Sequence, residues 1–263
     1  MTHRSDAPAA LILAGGTLAP ELIPVADGAT NRALIRVGAR GETMLDIVVA
    51  AVQAGMPHGR ILVAGDVPCP PGCEPVAGGA SLLDTLLNGV AALHPGETRL
   101  LVATADAPFL TPDAVADFLA RAAAAQPAQF VYPIVPAHLC AERFPEMKRT
   151  TLRLAEGTFT GGNLALLDPT FLRAHAAPIR AAYARRKNVP ALALLLGANT
   201  VLRLLVSPAL PSALRIRDVE AGVGRLLGGV TARAVITPFA ETGADADKAE
   251  DICIARHVLQ SEV

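Results

Sequence analysis

Ala10-Leu11-Ile12-Leu13 runs directly into Ala14-Gly15-Gly16, and the reading of this junction decides the fold. A short apolar run that stops on paired glycines is a buried strand feeding a loop. A long connection follows, with Pro20, Pro24, Asp27 and Gly28. From Thr43 the period changes, because Met44, Leu45, Val48, Val49 and Val52 fall on one helical face. Thr43 and Asp46 suit the N-cap and N3 positions, and Gly55 suits the C′ stop. Arg60 to Ala64 is the next strand, so strand, helix and strand fit into 55 residues. Such a βαβ unit requires a parallel sheet.

The alternation continues along the chain. Ser81 and Asp84 open a helix with Leu83, Leu86, Leu87, Val90 and Leu93 inward, and Leu100 to Ala103 is a buried strand. Thr111-Pro112-Asp113 starts a helix, a capping Thr followed by Pro at N1. Phe130 to Val135 reads as a strand, and Gly161-Gly162 precedes another at Asn163 to Leu167. From Pro169 to Leu227 the texture becomes helical and rich in Ala, Leu and Arg, interrupted by Pro178, Pro190, Pro208 and Pro211. This insertion is expected to cover a sheet edge or the mouth of an active site. Ala232 to Ile236 is a late strand, and Ala249 to Leu259 a closing helix with Ile252, Ala255 and Leu259 inward. No repeat, linker or low-complexity tail divides the chain, so residues 1–263 read as one α/β domain.

Composition narrows the function. Lys+Arg number 23 against 24 Asp+Glu, which leaves no basic excess for a nucleic-acid backbone. Aromatic residues make up 3%, too few for base-stacking platforms. A mean hydropathy of +0.41 is high, yet the apolar runs Leu192–Leu196 and Leu202–Val206 are split by Gly197, Asn199 and Arg203. Neither approaches the ~18 residues of a membrane span. The segment Met1 to Ala10 is too polar and its apolar run too short for a secretory signal, so the chain is expected in the cytoplasm, away from membranes. Cys69, Cys73, Cys140 and Cys253 match no zinc spacing and read as reduced thiols. The six histidines are scattered and form no ligand set.

Ligands of open parallel sheets bind at the carboxyl ends of the strands, where four features collect. Leu13-Ala14-Gly15-Gly16 offers backbone N–H groups that a phosphate can approach closely. It is not a Walker loop, since the chain has no GxxxxGK[ST], and Gly222-Val223-Gly224 lacks the dinucleotide spacing. Asp106, in Thr104-Ala105-Asp106-Ala107-Pro108, follows a central strand. Thr111 already caps the next helix, so this carboxylate is free for Mg²⁺, which favours one or two carboxylates with phosphate oxygens and water. Gly157 to Asn163, with two glycines and an amide before a strand, could hold an acceptor hydroxyl or phosphate, or be a plain turn. Asp245 and Asp247 precede the last helix and could supply a second ligand to the same ion, whereas Glu250 and Asp251 complement the helix dipole.

In this order the residues resemble the MobA-like nucleotidyltransferases of the nucleotide-diphospho-sugar transferase superfamily. Leu13-Ala14-Gly15-Gly16 is similar to the family's opening nucleotide loop, and Asn31-Arg32-Ala33-Leu34-Ile35 to its basic residue plus strand. Gly78-Gly79-Ala80-Ser81 is similar to the nucleoside segment, Asp106-Ala107-Pro108 to the metal aspartate, and Asp247 to Ile252 to the closing metal segment. The resemblance implies a three-layer α/β fold on a mostly parallel, Rossmann-like sheet, and transfer of a nucleoside monophosphate from an NTP to a small phosphorylated or hydroxyl-bearing acceptor. It implies Asp106 and Asp247 for Mg²⁺, and Gly15, Gly16 and Arg32 for the triphosphate. Gly78, Gly79 and Ser81 would meet the nucleoside, and Lys148, Arg149, Gly162 and Asn163 the acceptor.

Two departures stand out. The first loop continues as Gly16-Thr17-Leu18-Ala19-Pro20 without the family's Ser-x-Arg-Met, and Arg32 stands where relatives often carry Lys. The insertion from Pro169 is longer than in minimal relatives and is the expected place for an acceptor pocket or a homodimer face. Two other functions compete: a nucleotide-sugar glycosyltransferase of the same fold, which typically needs an Asp-x-Asp motif, and a nucleotide-binding regulatory module without turnover.

Overall fold

A computed structural model of the chain describes residues 8–184 and 213–261. The centre of the expected insertion, residues 185–212 with Pro190, Pro208 and Pro211, lies outside the described residues. Nine strands join one sheet: β1 Ala9–Leu13, β2 Ile61–Ala64, β3 Glu74–Val76, β4 Leu100–Thr104, β5 Phe130–Pro136, β6 Leu152–Leu154, β7 Gly157–Gly161, β8 Leu164–Leu167 and β9 Ala232–Ile236. Seven described α-helices accompany them: α1 Met44–Gly55, α2 Leu82–Ala91, α3 Pro112–Ala124, α4 Ala137–Arg143, α5 Pro169–Ala184, α6 Ile216–Leu226 and α7 Ala249–Ser261.

The strand order is β3-β2-β1-β4-β8-β5-β7-β6, with β9 parallel to β5. From β3 to β4 every pairing is parallel, as the βαβ reading requires. β8 then runs antiparallel to both β4 and β5, and the β6–β7 hairpin continues antiparallel from β5. The fold is α/β and Rossmann-like, with a sheet that is parallel on one side and mixed on the other.

Alternation of side chains along the central strand builds the layers. In β1, Ala10 and Ile12 face a core with Leu45, Val48 and Val52 of α1 and Phe118 of α3. Ala9, Leu11 and Leu13 face the opposite core, with Leu83 and Val90 of α2 and Phe171 and Leu172 of α5. All five β1 residues are buried, and burying each large aliphatic contributes about 1.5–3 kcal/mol. A third cluster, with Leu22, Ile35, Met44, Phe109, Phe144 and Ile252, lies under the long first loop and α7.

The helix starts follow the sequence. Thr43 and Asp46 form a reciprocal capping box, Ser81 accepts from the Asp84 N–H, and Thr111 accepts from the Ala114 N–H. Gly55 differs: it is the last residue of α1 and Met56 is the cap. A Cβ there would lie 2.6 Å from the Pro112 carbonyl oxygen, so the glycine permits close contact between α1 and α3. Two further readings change. Asn31 to Ile35 is no strand, because the Asn31 side chain accepts from the Ala33 N–H and starts a 3₁₀ turn at Arg32–Leu34. Gly157 to Gly161 is strand β7, paired with β5 and β6, where a turn was expected. Of the insertion, α5 packs on α2 and α6 on β9, and Val223 of α6 lines a cavity together with Leu13, Thr104 and Asn163.

Candidate functional site

The carboxyl ends of β1 and β4 open on one side of the sheet into a pocket of about 270 Å³. Leu13, Ala14, Gly15 and Gly16 form one wall, and Thr104, Ala105 and Asp106 another. The two strand ends are tied by the Ala105 N–H donating to Leu13 O at 3.1 Å. Arg32 closes the pocket, and its loop is pinned to β1 by Asn31, whose Nδ2 donates to Ala14 O at 2.9 Å. Asn31 is buried and was missed as a positioning residue; its place beside the family's basic residue was the available signal.

Asp106 is buried, and its two oxygens differ. Oδ2 lies 2.5 Å from Arg32 Nη2, whereas Oδ1 is buried without a hydrogen-bond partner. An unpartnered buried carboxylate oxygen is costly unless a ligand completes it. The other guanidinium nitrogen, Arg32 Nη1, donates to Asp247 Oδ1. Asp247 reaches the site because the Ala246 N–H donates to Asp106 O at 2.8 Å, which fixes residues 245–247 beside the end of β4. The two carboxylates expected to act together are thus adjacent, with Arg32 between them.

Asp245 is the third carboxylate of this group. Burial pushes its carboxyl up to about 6, the charges of Asp247 and Asp106 add to the rise, and Arg149 opposes it. Arg149 donates to Asp245 Oδ1 and, from Nη2, to Asp245 O at 2.7 Å. Its guanidinium therefore holds the closing segment and is no free clamp for an acceptor phosphate. Among the described residues no three His, Cys, Asp or Glu side chains form a ready-made metal cage. Asp106 and Asp247 nevertheless fit Mg²⁺ as a donor pair: both offer hard carboxylate oxygen, one oxygen lacks a partner, and the remaining positions suit phosphate and water.

A second cavity of about 560 Å³ adjoins these residues. Lys148, Arg149, Gly162, Asn163, Asp247 and Lys248 all line it, so the four residues expected to meet an acceptor do converge. Asn163 is held by its backbone N–H and Nδ2, which donate to Thr242 O at 2.8 and 3.2 Å. Gly162 is required for packing, since a Cβ would lie 2.7 Å from Pro133 Cγ and 2.8 Å from Thr242 Cγ2.

Gly78, Gly79 and Ser81 stand beside the first pocket, while Leu82 and Thr85 line it. The Ser81 hydroxyl is engaged as the cap of α2, donating to Asp84 Oδ2 and accepting from the Asp84 N–H. A Cβ at Gly79 would fall 2.6 Å from the Asp84 backbone, so this glycine lets the segment lie on α2. The Gly79 N–H donates to Thr85 Oγ1 at 2.9 Å, and Thr85 Oγ1 donates to Ser81 O. Thr85 is buried and lines the pocket, a role that its place in the first turn of α2 hid.

A glycine-walled pocket at parallel strand ends, with a buried carboxylate and an arginine at its mouth, lies where open Rossmann-like sheets bind their ligands. Residues 10–209 match the MobA-like NTP transferase domain family. The chain belongs to this family of nucleotidyltransferases, which are enzymes. A hypothetical transferase from Thermus thermophilus is 38% identical, with a TM-score of 0.80 over 94% of this chain and 99% of that one. The 2-C-methyl-D-erythritol 4-phosphate cytidylyltransferase from the same organism shares the fold at 16% identity and TM-score 0.54, over 96% of this chain and 99% of that one. A CMP:2-keto-3-deoxy-manno-octonic acid synthetase complexed with CTP does so at 12% and 0.57, over 98% of this chain and all of that one (100%). No curated protein matches the sequence. Among the described residues no helix is long and apolar enough to cross a membrane.

Proposed function

We propose that this enzyme transfers a nucleoside monophosphate from an NTP to a phosphorylated or hydroxyl-bearing small molecule, in a Mg²⁺-dependent reaction. The observation that carries the reading is the unpartnered buried Oδ1 of Asp106 beside Asp247, at the mouth of the glycine-walled pocket. Asp106 and Asp247 would hold the ion, which when bound neutralises charge on the phosphates. The N–H groups of the Gly15-Gly16 loop and the Arg32 guanidinium receive the triphosphate. The segment from Gly78 to Ser81, with Leu82 and Thr85, frames the nucleoside. The acceptor lies in the second cavity, oriented by Lys148, Gly162 and Asn163, while Arg149 keeps the cavity wall in place through Asp245.

An acceptor oxygen then forms a bond to the α-phosphorus as the α–β bridging P–O bond breaks, that electron pair leaves with pyrophosphate, and a hydroxyl acceptor gives up its proton to water. Such transfer depends on positioning and charge neutralisation more than on a covalent intermediate, which matches a site of backbone N–H groups, carboxylates and one arginine. Incubation with each NTP, Mg²⁺ and a panel of phosphorylated or hydroxylated acceptors should release pyrophosphate, and Asp106→Ala should abolish the release. Unchanged turnover in Asp106→Ala would overturn the assignment. Nucleotide-dependent thermal stabilisation without pyrophosphate release would instead identify a binding module.

A further inference from the structure

The cation that holds Asp106 and Asp247 together in this structure is a side chain of the protein itself. One Arg32 guanidinium spans both carboxylates, 2.5 Å from Asp106 Oδ2 through Nη2 and hydrogen-bonded to Asp247 Oδ1 through Nη1. The same guanidinium lies along the glycine loop: a Cβ placed on Gly16 would be 3.6 Å from Arg32 Nε and 3.7 Å from Nη2. It therefore stands between two anion seats within one pocket, the carboxylate pair and the loop that would receive a triphosphate. Any move from one seat to the other falls to the side chain, because Asn31 locks the backbone turn to Ala14 O and the Ala33 N–H. That side chain is 27% exposed and is not enclosed.

We infer that Arg32 is a resident counter-ion which a divalent cation must displace, and that its transfer to the triphosphate couples metal binding to nucleotide binding. This rests on the function proposed above. Two cations cannot share the space between Asp106 and Asp247, since like charges within a few ångströms repel strongly in a partly desolvated site. A divalent ion alone must strip the guanidinium of both partners. With a triphosphate present, Arg32 exchanges two carboxylates for phosphate oxygens, and its fork suits both. By linkage the nucleotide tightens the metal as much as the metal tightens the nucleotide. Asp106 and Asp247 also remain ordered and close together before either ligand arrives, a consequence that a lysine, with one point charge, would serve less well.

The test is Mn²⁺ binding to the whole chain, followed by the free-ion paramagnetic resonance signal, with and without a non-hydrolysable NTP analogue. Wild type should bind Mn²⁺ weakly alone. Arg32→Gln should bind Mn²⁺ alone about tenfold more tightly, within the usual range of coupling free energies. The gain in Mn²⁺ affinity on adding the analogue should be about tenfold smaller in Arg32→Gln than in wild type; chelation by the analogue itself is common to both and cancels. Arg32→Lys keeps the charge and the fold and should fall between the two. Equal Mn²⁺ affinity of wild type, Arg32→Lys and Arg32→Gln in the absence of nucleotide would overturn the inference while leaving the metal site intact. Failure of every form to bind Mn²⁺ even with the analogue would overturn the metal site and the inference together.

Discussion

The two sides of the sheet reach the site by different means. From β3 to β4 the strands are parallel, β1, β2 and β4 are buried almost throughout, and they end in backbone: the Gly15-Gly16 loop and the capped starts of α2 and α3. From β8 to β6 the strands are mostly antiparallel, and the site is completed by side chains from distant segments, Arg149 to Asp245 and Asn163 to Thr242. The difference teaches that, on the function proposed above, one side would be a frame for the common ligand, the NTP. The other would be assembled pair by pair around an individual acceptor. Arg32 and the Ala246 N–H to Asp106 O bond join them.

If the parallel side is the rigid frame, removing its central side chain should weaken the whole chain. Phe118 of α3 is fully buried among β1, β4 and α1 residues, and Phe118→Ala should lower unfolding free energy by about 3–5 kcal/mol in urea titrations. Phe159→Ala in β7, whose cluster is smaller, should fall at the lower end of that range. A larger cost at Phe159 would reverse the assignment of frame and annex. At the chemistry, Asp106→Asn should reduce kcat for pyrophosphate release by about 10²–10³, the scale of losing one preorganised electrostatic partner. Asp247 has a side chain 54% exposed, so Asp247→Asn should cost less, about tenfold. Equal losses would show that the exposed carboxylate matters as much as the buried one.

The same contrast explains how much was legible in the sequence. Strands buried on both faces must be continuous apolar runs, so β1, β2, β4, β5 and β8 were readable at once, and capping residues marked α1, α2 and α3. β3 was not, since Glu74-Pro75-Val76 is a three-residue edge with two exposed residues. β6 and β7 carry their pattern on Leu152, Leu154 and Phe159 alone, too few to establish a period, and the glycines at both ends of β7 mimic a turn. The seven-residue α4 has no side-chain cap to mark it. At the site, Gly15, Gly16 and Asp106 announced themselves by their place after apolar strands. The Arg149–Asp245 pair joins residues 96 positions apart, and nothing local distinguishes such an arginine from a solvated one.

Glycines offer a finer probe of the two sides. Gly79→Ala should destabilise by about 1–3 kcal/mol, because its Cβ would fall 2.4 Å from Asp84 Cβ and 2.7 Å from the Thr85 backbone nitrogen, and α2 would have to shift. Gly161→Ala in β7 meets nothing within 4 Å and should change stability by less than about 0.5 kcal/mol. Thermal unfolding of the two variants measures the tolerance of each side directly, and comparable losses would deny that the parallel side is the tighter one. Thiol chemistry gives the smallest signal. Burial, with the neighbouring Cys69 adding to it, pushes the Cys73 thiol up to about 11. Only the thiolate reacts, so at pH 8 Cys73 should be modified by a disulfide reagent far more slowly than exposed Cys253. Its rate should rise as pH approaches 11, where the thiolate fraction grows. Rapid modification of Cys73 at pH 8, mapped by peptide mass, would show that the loop beside α1 opens readily and that the parallel side is looser at this edge than its packing implies.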